Sequence, residues 1–587
     1  VNMGEHVTSA LNTYAPSQAL KTEWLGKLKD QIEATEQSTA EAFGDDDQHR
    51  ASMYLNHMRA RFEEANTFRP NAPIANAFTN IGYANFLGWT PAFAMMNLTQ
   101  VPMLTAPLLA SRYSVRATTK ALSNAYGLAR RNHTVFTELM KAAWRRGNSD
   151  VLELDKFKGL TNAQKAMLVE LANRGTLDFT QASELHALTS GSNETAQRVL
   201  KSAGWLAHPT EVMNRVVSAL AAYELALGDL SIKSEAVRVE YADRVTRQSQ
   251  MDYSALNRAP VLNNPMARVI FQFRQFSQQV AWIMGASIHD ALKGATPALR
   301  REAQRQLLGI VTMTFAFAGV RGLPLMSAIL LLASFIFGDD DAPFDAELEL
   351  RRVLGPVVAN GMFAAVGLDV TRRIGLGDLA PGTAGSMRPA ASSRDKMKEI
   401  VFDFLGPGAS IIGKGADAMD RMSEGHWDKA LQAILPKAFG DLMQGARFAT
   451  EGYEMNNGVV KIGADKFNAL DIIATAAGIK SAKVGDLQMD TGSLQAAVKL
   501  AALRAVILRK HLIGAIEAGD QDAVSTARAA IDRFNGLNPA LPIRPDTIIT
   551  AMRMKAQGQA FSDATGGLAF TKDQLRLAVA MGLVTPP

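Results

Sequence analysis

AGVRGLPLMSAILLLASFIFGDDDAPF, residues 318–344, is an almost uncharged run holding one arginine, a Gly-Leu-Pro break and three consecutive aspartates. A transmembrane helix needs about 20 consecutive apolar residues to cross a hydrocarbon core of roughly 30 Å. Gly322-Leu323-Pro324 divides Leu307–Gly338 into two arms of about 14 residues, each about 21 Å long at helical rise. Neither arm crosses a bilayer unaided. The stretch reads as a helical hairpin, either buried in a soluble core with Arg321 paired to a carboxylate or capping carbonyls, or sheltered by partners until released into lipid. Arg321, Gly322 and Pro324 are therefore candidate hairpin residues for membrane entry or packing. Asp339, Asp340 and Asp341 read as the start of the next helix, with Pro343 in its first turn.

The rest of the chain reads as helical too. After Pro265, Val269, Phe273, Phe276, Val280 and Ile283 recur in steps of four, three, four and three, the stripe of a helix facing a core or a partner helix. Trp24, Leu25, Leu28 and Ile32, and further on Met58 and Phe62, fall at helical spacing. Residues 205–250 read as two amphipathic helices. Beyond 484 come short helices such as Ser493 to Ala518 and Ala523 to Phe534. No sustained alternation signals a half-buried sheet, and no internal repeat appears. The expected fold class is all-α, an extended multi-helix assembly of several subdomains with short, proline-broken apolar helices.

The segments expected are N-terminal helices over 1–69, an uncharged then basic segment over 70–137 and a helical block over 138–255. The striped helix and apolar hairpin follow over 256–374. A Gly/Pro/Ala/Ser linker over 375–394, a tail block over 395–484 and short helices over 485–587 complete the chain.

Of the 587 residues, 47% are hydrophobic and 20% charged, a globular composition with enough length for a real core. The net charge of +5 is too small to establish nucleic-acid binding by itself. Cysteine is absent, which excludes disulfides, thiolate metal sites and cysteine nucleophiles. The chain opens Val1-Asn2-Met3-Gly4 without a signal segment, and is expected to be part of a longer polypeptide with room for an enzymatic domain upstream.

Charge is distributed unevenly. Ala65 to Thr137 contains no Asp or Glu, and Pro70 to Ser111 contains no charge of either sign. Pro91, Pro102 and Pro107 interrupt this second apolar run, so it reads as short helical pieces. The charges that follow are Arg112, Arg116, Lys120, Arg130 and Arg131. Arg112, Arg116 and Lys120 stand four apart, on one expected helix face positioned to meet anionic headgroups.

Chemistry is sparse. GASIIGK, 408–414, fits G-x-x-x-x-G-K, but Gly415 stands where a phosphate loop needs Ser or Thr for magnesium. His49 and His57 lack metal-site framing, and Glu63 and Glu64 read as a solvated pair. No cofactor, metal site or catalytic constellation is expected in this chain.

Four stretches, in order, resemble very large proteins of tailed phages. FLGWTPAFAMMNLTQVPMLTAPLLA (86–110) resembles their Asn-Leu-Thr-Gln-x-Pro segment. DYSALNRAPVLNNPMARVIFQFRQFSQQVAW (252–282) resembles their Asn-Arg-x-Pro and Phe-Gln-Phe-Arg-Gln-Phe block. RGLPLMSAI (321–329) followed by GDDD resembles the surroundings of their PLxRG motif, although the order here is Arg-Gly-Leu-Pro-Leu. Residues 404–453, from FLGPGASIIGKG to ARFATEGY, resemble their tail block.

Such sequences occur in phage polyvalent proteins and in the C-terminal part of internal virion, or ejection, proteins of short-tailed phages. The resemblance implies a non-enzymatic chain packaged in the capsid. It would then be expelled into the host envelope, reaching periplasm and inner membrane, as part of a genome-translocation channel. Implied partners are further copies of itself in a symmetric ring, other internal virion, portal or tail proteins, phage double-stranded DNA bound non-specifically, and host envelope lipids. Under that reading Arg112, Arg116, Lys120, Arg130 and Arg131 are the candidate phosphate contacts. The alternatives are the non-catalytic body of a multifunctional phage enzyme, such as a transglycosylase or virion RNA polymerase, and a pore-forming toxin.

Overall fold

The structure is a computed structural model. It describes residues 88–132, 158–174, 176–177, 202–204, 206–251, 275–337, 345–377, 436–454, 460–564 and 572–582, with 79, 82–84, 264 and 341. Outside them lie the expected helices around Trp24 and Met58, the stripe positions Val269 and Phe273, most of the 375–394 linker, GASIIGK, and the His49/His57 and Glu63/Glu64 positions.

The fold is all-α. Helices α1 (Pro91–Leu98), α2 (Ala106–Arg112), α3 (Val115–Arg131), α4 (Asn162–Asn173), α5 (Ala207–Leu227) and α6 (Glu235–Gln250) lead into the hairpin of α7 (Gln275–Lys293) and α8 (Pro297–Ala318). Then come α9 (Met326–Phe337), α10 (Ala346–Asn360), α11 (Thr371–Ile374), α12 (Lys437–Thr450), α13 (Ala469–Ala476), α14 (Ala482–Ala518), α15 (Gln521–Leu537), α16 (Pro545–Ala564) and α17 (Lys572–Ala580). Two minimal antiparallel pairs interrupt them: β1 (Leu368–Asp369) with β4 (Lys480–Ser481), and β2 (Tyr453–Glu454) with β3 (Val460–Ile462).

The chain forms two compact units. The first holds the residues up to Ala328 together with Arg351–Ala384 and Lys398–Asp486. The second holds Ile329–Leu350, Gly385–Met397 and Leu487–Pro587.

In the first unit, α5 is the central helix. The sequence suggests an amphipathic element, yet buried residues lie on every side of α5, from Val212 through Leu220 to Ala226. Its alanines and Ser218 let neighbours approach closely, and Leu122, Met167, Leu171 and Val245 from α3, α4 and α6 share its core. A second cluster joins Met103, Leu104, Val280, Ile310, Ile374 and Leu376, where the α7–α8 hairpin meets the apolar run that contains α2. Val280 and Ile283 of the expected stripe do face this core. In the second unit, Leu508 and Leu512 of α14 pack on Ala527, Ile531 and Phe534 of α15.

Three boundaries differ from the sequence reading. Asp345, four residues past the aspartate triplet, caps α10 by accepting from the amides of Glu347 and Leu348. Asp341 is instead buried, and its carboxylate receives Arg504 Nε at 2.7 Å. The helix expected from Ser493 starts at Ala482 and runs 37 residues, because Gly485, Asp486 and Asp490, which resemble turn residues, are absorbed into it. Finally, Gly375-Leu376-Gly377, placed in the linker by composition, is packed: Leu376 is buried and its amide donates to Gly322 O at 2.8 Å.

Candidate functional site

The second apolar run is a helical unit from Pro91 to Arg112. Pro91 opens α1 at a position whose amide is unbonded anyway. Between α1 and α2 the chain takes a π-helical turn, Val101–Thr105, in which the Ala106 amide reaches back five residues to Val101 O. Pro102 and Pro107, read from the sequence as breaks, are accommodated by this wider turn, since each only removes a donor that the altered ladder does not need. The 22 residues extend about 33 Å. By length and composition they could cross a membrane, although half of the run is buried inside the protein.

Polar side chains fasten the run to α5 and α6. Thr105, wholly buried, is within 2.9 Å of the Ser218 hydroxyl, donates to Ser249 Oγ at 2.9 Å and accepts from Gln250 Nε2 at 2.8 Å. Asn97 donates to Glu211 Oε1 at 3.3 Å, and its carbonyl accepts from Asn214 Nδ2 at 2.5 Å. Tyr83 lies beside the same glutamate. Burial first, and then the Glu211 carboxylate, push its phenol well above the usual tyrosine range.

Behind this seam, the buried Arg215 guanidinium donates to the carbonyls of Thr176 and Gln250, both at 3.1 Å, and of Met251 at 2.5 Å. The Asp243 carboxylate receives Thr176 Oγ1 at 2.5 Å and Arg247 Nε at 3.0 Å. Buried polar groups cost free energy unless paired, so this network fixes one packing of the run against α5 and α6.

The five sequence-predicted cations divide into two groups. Arg112 ends α2. The chain then turns extended at Tyr113, and Ser114 caps α3 by accepting from the Ala117 amide at 3.1 Å. The single face expected for Arg112, Arg116 and Lys120 is therefore broken. Arg112 donates to Asp229 Oδ2 at 2.9 Å and to Ser231 Oγ at 3.2 Å, and lies over the Tyr113 and Tyr241 rings.

Arg116, Lys120, Arg130 and Arg131 are exposed along α3. Their offsets of 0, 4, 14 and 15 place all four within an arc of about 100°. The opposite side, Leu122, Ala125 and Ala129, enters the core. No acidic residue occurs on α3, and Glu224 of α5 accepts from Asn124 at 2.9 Å.

Arg321 sits in a short 3-10 turn, Val320–Gly322, and is 8% exposed. Its Nη1 donates to the amide oxygen of Asn360 at 2.7 Å, while Asn360 O accepts from Thr371 Oγ1 at 3.0 Å. Glycines make this approach possible. Gly319 and Gly361 both take positive φ, and a Cβ on either would overlap the backbone of the other's neighbour, at Ala359 and Phe317. The apolar stretch therefore breaks at Gly319, ahead of the Gly-Leu-Pro expected, between helices of 22 and 12 residues. Pro324 lies in the following turn, half-buried.

Sequence reasoning expected only Ser493 to Ala518 of α14 and missed that the full 37-residue helix is also long and apolar enough to span. Among the described residues, no group of three or more His, Asp or Glu could hold a metal ion. No family model, curated protein or solved structure matches the chain.

Proposed function

We propose that this chain is an internal virion protein of a short-tailed phage, ejected into the host envelope to form part of a channel that conducts the genome. The observation that carries the reading is Pro91–Arg112. It is a run of membrane-spanning length, half sheltered by a polar seam and followed by a helix whose exposed charges are all positive. The ordered resemblance of residues 86–110, 252–282, 321–329 and 404–453 to phage proteins supports the same reading.

A chain of this kind must be soluble in the capsid, pass a narrow tail and then contact lipid. Absence of cysteine removes any covalent obstacle to unfolding. Inside the folded protein, α5 and α6 hold the side chains of Asn97 and Thr105, while Thr99, Gln100 and Ser111 bond within the run. In a bilayer, its own helical hydrogen bonds satisfy the backbone, as a spanning segment requires. The cations of α3 then lie beside anionic headgroups or DNA phosphates, which they contact without reading sequence.

Fractionation of particles tests this. The chain is expected in purified full virions, absent from ghosts that have ejected their DNA, and recovered in the envelope fraction of infected cells. Retention in ghosts, or presence only in the host cytosol, refutes the proposal.

A further inference from the structure

We infer that the outer side of the α7–α8 hairpin is a docking surface for an anionic lipid bilayer, separate from both Pro91–Arg112 and α3. α8 is apolar on two sides, about 110° apart around its axis. Its inner row, Ala303, Ile310 and Thr314, lies in the core. Its outer row steps four, three and four through Gln304, Leu308, Val311 and Phe315. Here Leu308 is 68% exposed, Val311 36% and Phe315 40%. On α7 the core takes Val280 and Ile283, leaving Trp282 68% exposed on the other side. A helix serving only one core needs only one apolar face. The second face calls for an apolar occupant.

Charge identifies that occupant. The bend between the helices and the first turns of α8 expose Lys293, Arg300, Arg301 and Arg305. The hairpin's two acids, Asp290 and Glu302, are less exposed. An apolar row beside a cluster of cations, with an exposed tryptophan, matches acyl chains below anionic phosphates, where tryptophan and basic side chains favour the interface. The surface rests on the proposed envelope role for its biological setting. Binding to vesicles can be measured whether or not the chain travels in a virion, so the two ideas fail separately.

The test is co-sedimentation of the full chain with vesicles of phosphatidylcholine containing roughly one quarter phosphatidylglycerol, against phosphatidylcholine alone. Binding is expected to the anionic vesicles and to weaken with salt. The variants L308D/F315D and R300Q/R301Q/R305Q should each lower the partition coefficient by about tenfold or more, whereas R528Q/R553Q on α15 and α16 should leave most of it. Brominated acyl chains should quench Trp282 in the unaltered protein, judged against Trp282→Phe, which makes the test independent of whether the aspartate variant folds. Equal binding to both vesicle types, undiminished binding of the two hairpin variants, or no quenching of Trp282 overturns the inference. So does an oligomer in solution that L308D/F315D dissociates, because a second copy of the chain would then cover this face.

Discussion

Replacing Thr105 with valine tests whether the polar seam holds the apolar run in place. The shapes are nearly equal, so packing is preserved while the hydroxyl is lost. Its three partners, Ser218, Ser249 and Gln250, are all buried. Ser249 keeps its bond to Val245 O, at 2.8 Å. Gln250 Nε2 and the Ser218 hydroxyl lose the contact. A buried group stripped of its partner costs about 1–3 kcal/mol, so the variant should lose about 2–4 kcal/mol after the small gain from an added methyl. Thr314→Val is the control. That threonine is equally buried, but its hydroxyl has no hydrogen-bond partner among the described residues, so the change should be neutral to within about 0.5 kcal/mol or mildly stabilising. The assay is urea unfolding followed by tryptophan fluorescence. None of the six tryptophans falls within the sequence of the second unit, so the signal is silent about it. Equal midpoints for the two variants would refute the latch.

Two further outcomes follow from the charges. If α3 lies against duplex DNA, changing Arg116, Lys120 and Arg131 to glutamine should reduce the slope of log affinity against log salt by about 2–3, measured by fluorescence anisotropy. Arg112→Gln should leave that slope nearly unchanged, because its guanidinium already serves Asp229; the opposite result would reject the assignment. Asp229 supplies the second. The Ser231 hydroxyl first, with the Ser231 amide, Arg112 and Tyr113, holds its carboxyl at about 2 against an ordinary 3.8. A depressed folded value contributes stability that is fully present above pH 3.8 and is lost as pH falls toward 2. The expected loss is about 1–2 kcal/mol after solvent screening, and Asp229→Asn should remove it. An unchanged acid limb in that variant would contradict the pairing.

Local periodicity made much of the fold legible. The two helices in 205–250 appear as α5 and α6, and α15 covers the expected Ala523–Phe534. What periodicity could not reveal was burial of α5 on all sides, since small residues such as Ala219, Ala222 and Ser218 carry little apolar signal and become core only when neighbours close in. The break at Tyr113-Ser114 was readable in principle from a serine preceding the helical spacing of α3, but the tempting i, i+4, i+8 row of cations masked it. Asp341 and Asp345 show the same competition. Adjacent aspartates look like one helix start, yet Asp345 caps while Asp341 pairs with Arg504, a partner far along the chain. The seam around Thr105 joins residues more than 100 positions apart, and nothing at sequence level marks a single buried threonine as its centre.

The crossing of Gly319 with Gly361 ties the chain into a closed circuit, and the segment from Ile329 to Leu350 that belongs to the second unit is spooled out within it. Each unit is therefore assembled from separated lengths of polypeptide, and no single proteolytic cut or gene truncation yields either one whole. A fragment ending at Ala328 would keep Arg321 but forfeit Asn360, the side chain that receives it. In any passage end-first through a narrow conduit, the Gly319–Gly361 clasp has to open first, and it can fasten again only after both of its halves have emerged on the far side.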